Sequence, residues 1–156
     1  MKKLILLLGI FISTAGAFAQ KGNKSVLLNL GYQTDYDRLM LGGELRYGLT
    51  KDLRIAPDFQ FFVPNDHVTG LDINANLHYV VPLQNNLDLY PLAGLAITNN
   101  RVSVNGWSNS DTDVAFNLGA GLDYNLNSAS YLNFQFKYMF QDNGCAVLSL
   151  GYGIRF

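Results

Sequence analysis

The chain has 156 residues, 11 lysines and arginines against 12 aspartates and glutamates, a formal net charge of −1, and 49% hydrophobic side chains. That balance excludes a nucleic-acid binder built on a basic surface. One cysteine, Cys145, excludes an internal disulfide, and with only two histidines the composition supports no metal centre or other cofactor.

Residues 1–19 combine Lys2 and Lys3, an apolar run from Leu4 to Ile12, and the small-residue pattern Ala17-Phe18-Ala19 ahead of Gln20. This predicts a secretory signal peptide, because an apolar run of about ten residues is too short to cross roughly 30 Å of hydrocarbon as a helix. No cysteine follows the small residues, which argues against a lipid anchor. Residues 20–156 then form one domain. Loss of Lys2 and Lys3 lowers the basic count from 11 to 9 against 12 acids, a net charge near −3.

The rest of the chain alternates apolar and polar side chains, the period of a half-buried strand. The first strand runs from about Ser25 to Gln33, with Val26, Leu28, Leu30 and Tyr32 opposite Ser25, Asn29, Gly31 and Gln33. After Thr34 to Asp37, Leu39, Leu41, Leu45, Tyr47 and Leu49 face one way, and Arg38, Gly42, Glu44, Arg46 and Gly48 the other. Past the turn at Thr50-Lys51-Asp52, the third strand sets Leu53, Ile55, Phe59, Phe61 and Val63 against Arg54, Asp58 and Gln60, and stops at Pro64-Asn65-Asp66. The fourth sets Leu71, Ile73, Ala75, Leu77, Tyr79 and Val81 against Asp72, Asn74, Asn76 and His78.

Pro82 and Gln84-Asn85-Asn86 predict the next turn. The fifth strand places Leu87, Leu89, Ala93, Leu95 and Ile97 opposite Asp88, Gly94 and Thr98, with a bulge expected at Pro91. A polar loop from Asn99 to Asp113 is the longest expected break. The sixth strand sets Val114, Phe116, Leu118, Ala120, Leu122 and Tyr124 against Asn117, Gly119, Gly121 and Asp123. The seventh sets Leu132, Phe134, Phe136, Tyr138 and Phe140 against Asn133, Gln135 and Lys137, and the eighth follows Gln141 to Gly144 and ends on Phe156.

No window carries helical spacing, so the fold class is all-β, an eight-stranded antiparallel up-and-down barrel closed by pairing its first and last strands. The apolar face holds too many large side chains for the interior of eight strands. The polar face is rich in glycine and holds Glu44, Arg46, Arg54, Asp58, Asp72, Asp88, Asp123, Lys137 and Arg155. Turned toward lipid, the four basic members would cost about 2–4 kcal/mol each near the midplane. They are therefore expected to pair inside a transmembrane barrel, with Leu27, Phe62, Val80, Leu92 and Val147 as apolar exceptions on the inner face. Tyr32, Tyr47, Phe61, Tyr79, Tyr124, Tyr138, Phe140, Tyr152 and Phe156 are expected to form aromatic girdles at the membrane interfaces.

In Gly43 to Thr50, Tyr90 to Leu95, Phe116 to Tyr124 and the terminal Gly151 to Phe156, the chain resembles the small outer-membrane β-barrel proteins of Gram-negative bacteria, the porin-like family that includes the membrane domain of outer membrane protein A. The resemblance implies the outer membrane, contact with its lipids and lipopolysaccharide, and insertion by the assembly machinery through the last strand. It fixes no activity.

Three functions are compatible with these residues. The favoured one is a non-enzymatic structural or surface-interaction role with a lumen plugged by charged side chains, in which Arg101 and Trp107 of the longest outer loop touch a partner or lipopolysaccharide. The second is a narrow pore for small solutes. The third is an acyl hydrolase or transferase acting on lipid A, assembled from His67, Asp66 and Ser108 or Ser110, although no nucleophile motif surrounds these residues. His78 reads as an inward, hydrogen-bonded histidine near Asp72 and Asn76.

Overall fold

The computed structural model describes residues 22–156 except Tyr36, Asp66, Asn105, Gly106, Asp142 and Asn143. The segment read as a signal peptide lies outside the described residues. Strands β1 (Lys24–Gln33), β2 (Arg38–Gly48), β3 (Leu53–Asn65), β4 (Val68–Tyr79), β5 (Val81–Gln84), β6 (Leu87–Val104), β7 (Trp107–Asn125), β8 (Ser130–Phe140) and β9 (Cys145–Arg155) form one antiparallel sheet. Both β4 and β5 pair with β6, so they are two lengths of one stave, and the cylinder has eight staves. It closes between β1 and β9, in register from Ser25↔Arg155 to Gln33↔Val147. No sheet edge runs the length of the cylinder; β7 from Trp107 to Ala115, which pairs with β6 alone, has its other edge unpaired.

The interruption between β4 and β5 has a local cause. It falls between the pairs His78↔Leu92 and Val81↔Leu89, facing Pro91, whose nitrogen carries no hydrogen for the ladder. The Val80 amide donates instead to the Asp52 carbonyl at 2.6 Å. On its other side Pro91 sits opposite Ala120 in unbroken register, so the expected bulge there is absent. Pro82 is likewise part of β5, opposite Asp88, and the turn itself is confined to Asn85 and Asn86.

The polar stretch from Asn99 to Asp113 is not a loop. The staves β6 and β7 continue through it as a hairpin paired from Leu87↔Tyr124 up to Val104↔Trp107. The β6 arm stays paired with β4 as far as Val68↔Val102, but from Trp107 to Val114 the β7 arm pairs with β6 alone and is exposed on both faces, so alternation loses its apolar half there. β3 also runs on through Pro64 to Asn65, and the turn before β4 contains His67 with φ of 66°.

The orientation of the staves matches the alternation. Leu28, Leu30, Leu150 and Val114 point outward and are 64–73% exposed, whereas Glu44, Arg46, Asp123 and Lys137 point inward and are at most 3% exposed. Staves of about ten residues, rising about 3.3 Å each and tilted about 40°, span about 25 Å, the height of an outer-membrane hydrocarbon band. The apolar exceptions form a core of their own. Phe62 and Val147 pack with Met40, Ala96, Ala115, Met139 and Cys145 near the loop end, while Leu27 and Leu92 are buried elsewhere in the lumen and Val80 is half-buried beside the interruption.

Candidate functional site

The hollow of the cylinder is where this chain concentrates its chemistry, and backbone pairing decides what fits there. Tyr90 lies directly opposite Gly121, and Tyr131 opposite Gly153. A Cβ on Gly121 would sit 2.3 Å from Tyr90 Cζ, and one on Gly153 2.1 Å from Tyr131 Cζ. Each missing side chain therefore gives an inward tyrosine room to lie flat across the neighbouring strand. The two rings then become platforms for guanidinium groups. Arg46 lies 5.2 Å from the Tyr90 centroid and 5.3 Å from that of Tyr131, Arg54 lies 4.4 Å from Tyr90, and Arg155 lies 4.4 Å from Tyr131.

Around these platforms the charges interlock. Arg46 donates to Glu44 through Nε and to both oxygens of Asp123 through Nη1, at 2.9 Å each. Arg54 Nη2 approaches Asp123 Oδ2 at 2.8 Å, and its Nε donates to His78 Nδ1 at 3.0 Å. The phenol of Tyr90 ties the set together, accepting from Arg46 Nη2 at 3.0 Å and from Asn133 at 2.7 Å and donating to Gln135 at 2.8 Å. His78 stacks on Tyr90 with ring centroids 4.5 Å apart. Its buried partners are thus Arg54 and Tyr90, not the expected Asp72 and Asn76. A guanidinium can only donate, so Nδ1 is the accepting nitrogen in this contact.

Nearer mid-height, Asp58 accepts from Asn74 at 2.7 Å and Asn76 at 2.6 Å, and Lys137 Nζ lies 3.6 Å from its Oδ2. Asn117 donates to the side-chain oxygens of both asparagines. Asp72 is buried here too, but has no ion-pair partner within 4.0 Å among the described residues. Asp88 and Arg155 sit at the mouth beside the termini, where Asn125 donates to Asp88 at 3.0 Å and accepts from Arg155. At the loop end Arg38, 1% exposed, donates twice to Gln33 and once to Asn100 and covers Phe62 at 4.9 Å.

Residues 5–156 match the family described as outer membrane protein beta-barrel domain. The chain belongs to that family. Among solved structures, this outer-membrane barrel is similar to the N-terminal β-barrel domain of Pseudomonas aeruginosa OprF, at 21% identity and a TM-score of 0.76, over 87% of this chain and 100% of that one. It is also similar to Ail, the attachment invasion locus protein of Yersinia pestis, at 18% identity and a TM-score of 0.66, over 88% and 100% of the two chains. The outer membrane enzyme PagL matches at 14% identity and a TM-score of 0.58, over 83% and 98%. At such identities the likeness shows the fold alone. No curated protein matches the sequence. The family assignment places the barrel in the bacterial outer membrane.

On the outer surface of this outer-membrane barrel, Tyr32 and Tyr138 lie toward the loop end, and Tyr47, Tyr79, Tyr124, Tyr152 and Phe156 toward the termini. The hairpin above the loop end carries Trp107, 85% exposed, and Arg101, which donates to Ser108 at 3.2 Å. Ser108 thus accepts from Arg101, Ser110 pairs with Arg101 across the hairpin, and Asp66 lies outside the described residues. His67 instead meets this hairpin through its backbone, accepting from the Ser103 amide at 3.0 Å.

The sequence reading passed over Tyr90 and Tyr131 because aromatic residues suggest a lipid face. Their phase is the better signal. Each shares parity with inward polar residues, Asp88 for the first and Asn133 and Gln135 for the second, and each faces a glycine across the strand pair.

Proposed function

We propose that this outer-membrane barrel is a non-conducting structural protein with a surface-interaction role, its termini in the periplasm and its hairpin outside the cell. The observation that carries this reading is the double closure of the lumen. Arg46 with Tyr90 and Tyr131 fills one level, and Phe62, Met40 and Met139 fill another, each of these six side chains at most 3% exposed. An eight-stranded interior is just wide enough for side chains to fill, so opening a path would require moving paired charges and an apolar core together. The nine inward charges assigned from the alternation, Glu44, Arg46, Arg54, Asp58, Asp72, Asp88, Asp123, Lys137 and Arg155, are then a plug rather than a filter.

The surface role rests on the hairpin. Trp107, held out by eighteen residue pairs of unbroken β6–β7 register, offers an aromatic face to a partner or to lipopolysaccharide sugars, with Arg101 beside it. The tyrosines and Phe156 on the outer wall serve as interfacial girdles, and the last strand addresses the assembly machinery. Residues 1–19 are removed on export, leaving Gln20 first.

Recording in planar bilayers tests the plug, with a silent membrane expected and discrete conductance steps contradicting it. Replacing residues 101–110 by an Asn-Gly turn, which joins the pair Asn100↔Asp111 in register, leaves a folded barrel and abolishes surface binding; binding that survives the replacement refutes the assignment to the hairpin.

A further inference from the structure

We infer that the mouth beside the termini is a binding site for an oxyanion, a phosphate or carboxylate group, seated on Arg54 and Arg155. A cavity of ≈530 Å³ opens there, and its wall includes Lys24, Lys51, Arg54 and Arg155 against the carboxylates of Asp52 and Asp88. Lys24, Lys51 and Arg155 have no carboxylate within 4.0 Å among the described residues. Asp88 takes its hydrogen bond from Asn125 rather than from any of these cations.

The arginines are set in place before any ligand arrives. Arg155 is stacked 4.4 Å above Tyr131 and donates from Nη2 to Asn125. Arg54 is stacked 4.4 Å above Tyr90 and held from below by His78 and Asp123. These contacts leave Arg54 Nη1 and Arg155 Nε and Nη1 to donate to an anion, held in direction by the rings their guanidinium faces rest on. Holding those donors in advance removes the side-chain ordering cost that a surface arginine meets on binding. The Arg46 charge behind this pair is already matched by Glu44 and Asp123, so it closes the floor rather than competing for the ligand. Lys24 and Lys51, at the rim, add attraction that is screened over about 8–10 Å at ordinary salt. This site does not depend on whether the lumen conducts.

The full chain, labelled with nitrogen-15 and folded in a neutral maltoside micelle, gives resolvable arginine Nε–H signals for the test. Inorganic phosphate and acetate are added separately, with sodium chloride at matched ionic strength as the control. The signals of Arg54 and Arg155 are expected to shift saturably with at least one oxyanion, and which of the two saturates identifies the ligand class. Arg155→Gln should weaken the apparent affinity at least about tenfold, the loss expected for one charge-assisted hydrogen bond. Arg101→Gln, at the opposite end, should leave it unchanged. Mobility of unboiled protein on a gel verifies folding, and Lys24→Gln, expected to weaken binding by a smaller factor, replaces Arg155→Gln should that variant not fold. Shifts that rise linearly and equally with chloride, or an affinity indifferent to Arg155→Gln and to Lys24→Gln, overturn the site.

Discussion

Replacing Asp123 by asparagine changes little in shape and much in charge. Asp123 is 1% exposed and receives Arg46 on both oxygens at 2.9 Å, Arg54 at 2.8 Å and Asn133 at 2.7 Å. After Asp123→Asn, buried Arg46 and part-buried Arg54 share one carboxylate, Glu44, which itself reaches only Arg46. Removing one partner of a buried ion pair costs about 3–5 kcal/mol, most of it the penalty of the charge left behind. With an unfolding slope of about 2 kcal/mol per molar urea, the midpoint falls by about 1.5–2.5 M. Urea titration of the barrel in lipid vesicles, read by gel mobility of unboiled samples, measures this directly. Adding Arg54→Met to Asp123→Asn removes the stranded charge and should recover at least about 1 kcal/mol, a non-additivity expected only of groups in contact. A midpoint for Asp123→Asn within the range of the exposed control Asp111→Asn, about 0.5 kcal/mol, would refute the claim that the lumen is dry enough for these charges to depend on one another.

Three further outcomes follow from the same geometry. Gly121→Ala should cost about 1–3 kcal/mol by overpacking against Tyr90, whereas Gly43→Ala, whose new Cβ meets nothing closer than 4.0 Å, should cost far less in the same titration. Leu30→Arg, on the lipid wall where Leu30 is 66% exposed, should cost about 2–4 kcal/mol in vesicles, and equal stability of mutant and parent would place that wall outside the membrane. Trp107 is the single tryptophan, so its fluorescence should be quenched by aqueous acrylamide and left untouched by brominated lipid acyl chains; quenching by the lipid would bring the hairpin down into the bilayer.

The sequence carried the architecture because period-two patterning is dictated by the bilayer itself. Leu28, Leu30, Leu148 and Leu150 must meet hydrocarbon, while Asn29 and Ser149 must not, and a slip of one residue would exchange them. That constraint ends at the membrane surface. Above it Ser108, Asn109, Ser110, Asp111 and Thr112 form a strand with both faces in water, so alternation says nothing, and only the Asn105-Gly106 pair between them and Val104 marks a tight hairpin. The interior was legible in its charges and obscure in its partners. Parity puts Arg46, Asp123 and His78 on one wall, but their meeting across the lumen depends on the stagger of the staves, which a single chain does not display. Met40, Met139 and Cys145 were missed for a different reason: the space inside an eight-stranded cylinder tolerates apolar residues as readily as polar ones, provided they meet one another.

The seam between β1 and β9 has a consequence for how this protein comes into being. Gln33 pairs with Val147 and the Phe156 amide donates to the Lys24 carbonyl, so the earliest stave waits for the latest before its free side is matched. Until β9 has been made, β1 lacks its second neighbour and the hoop stays open. The same adjacency means that the two ends could be spliced and fresh ones cut between residues 104 and 107, yielding a rearranged polypeptide whose hydrogen-bonded hoop is intact.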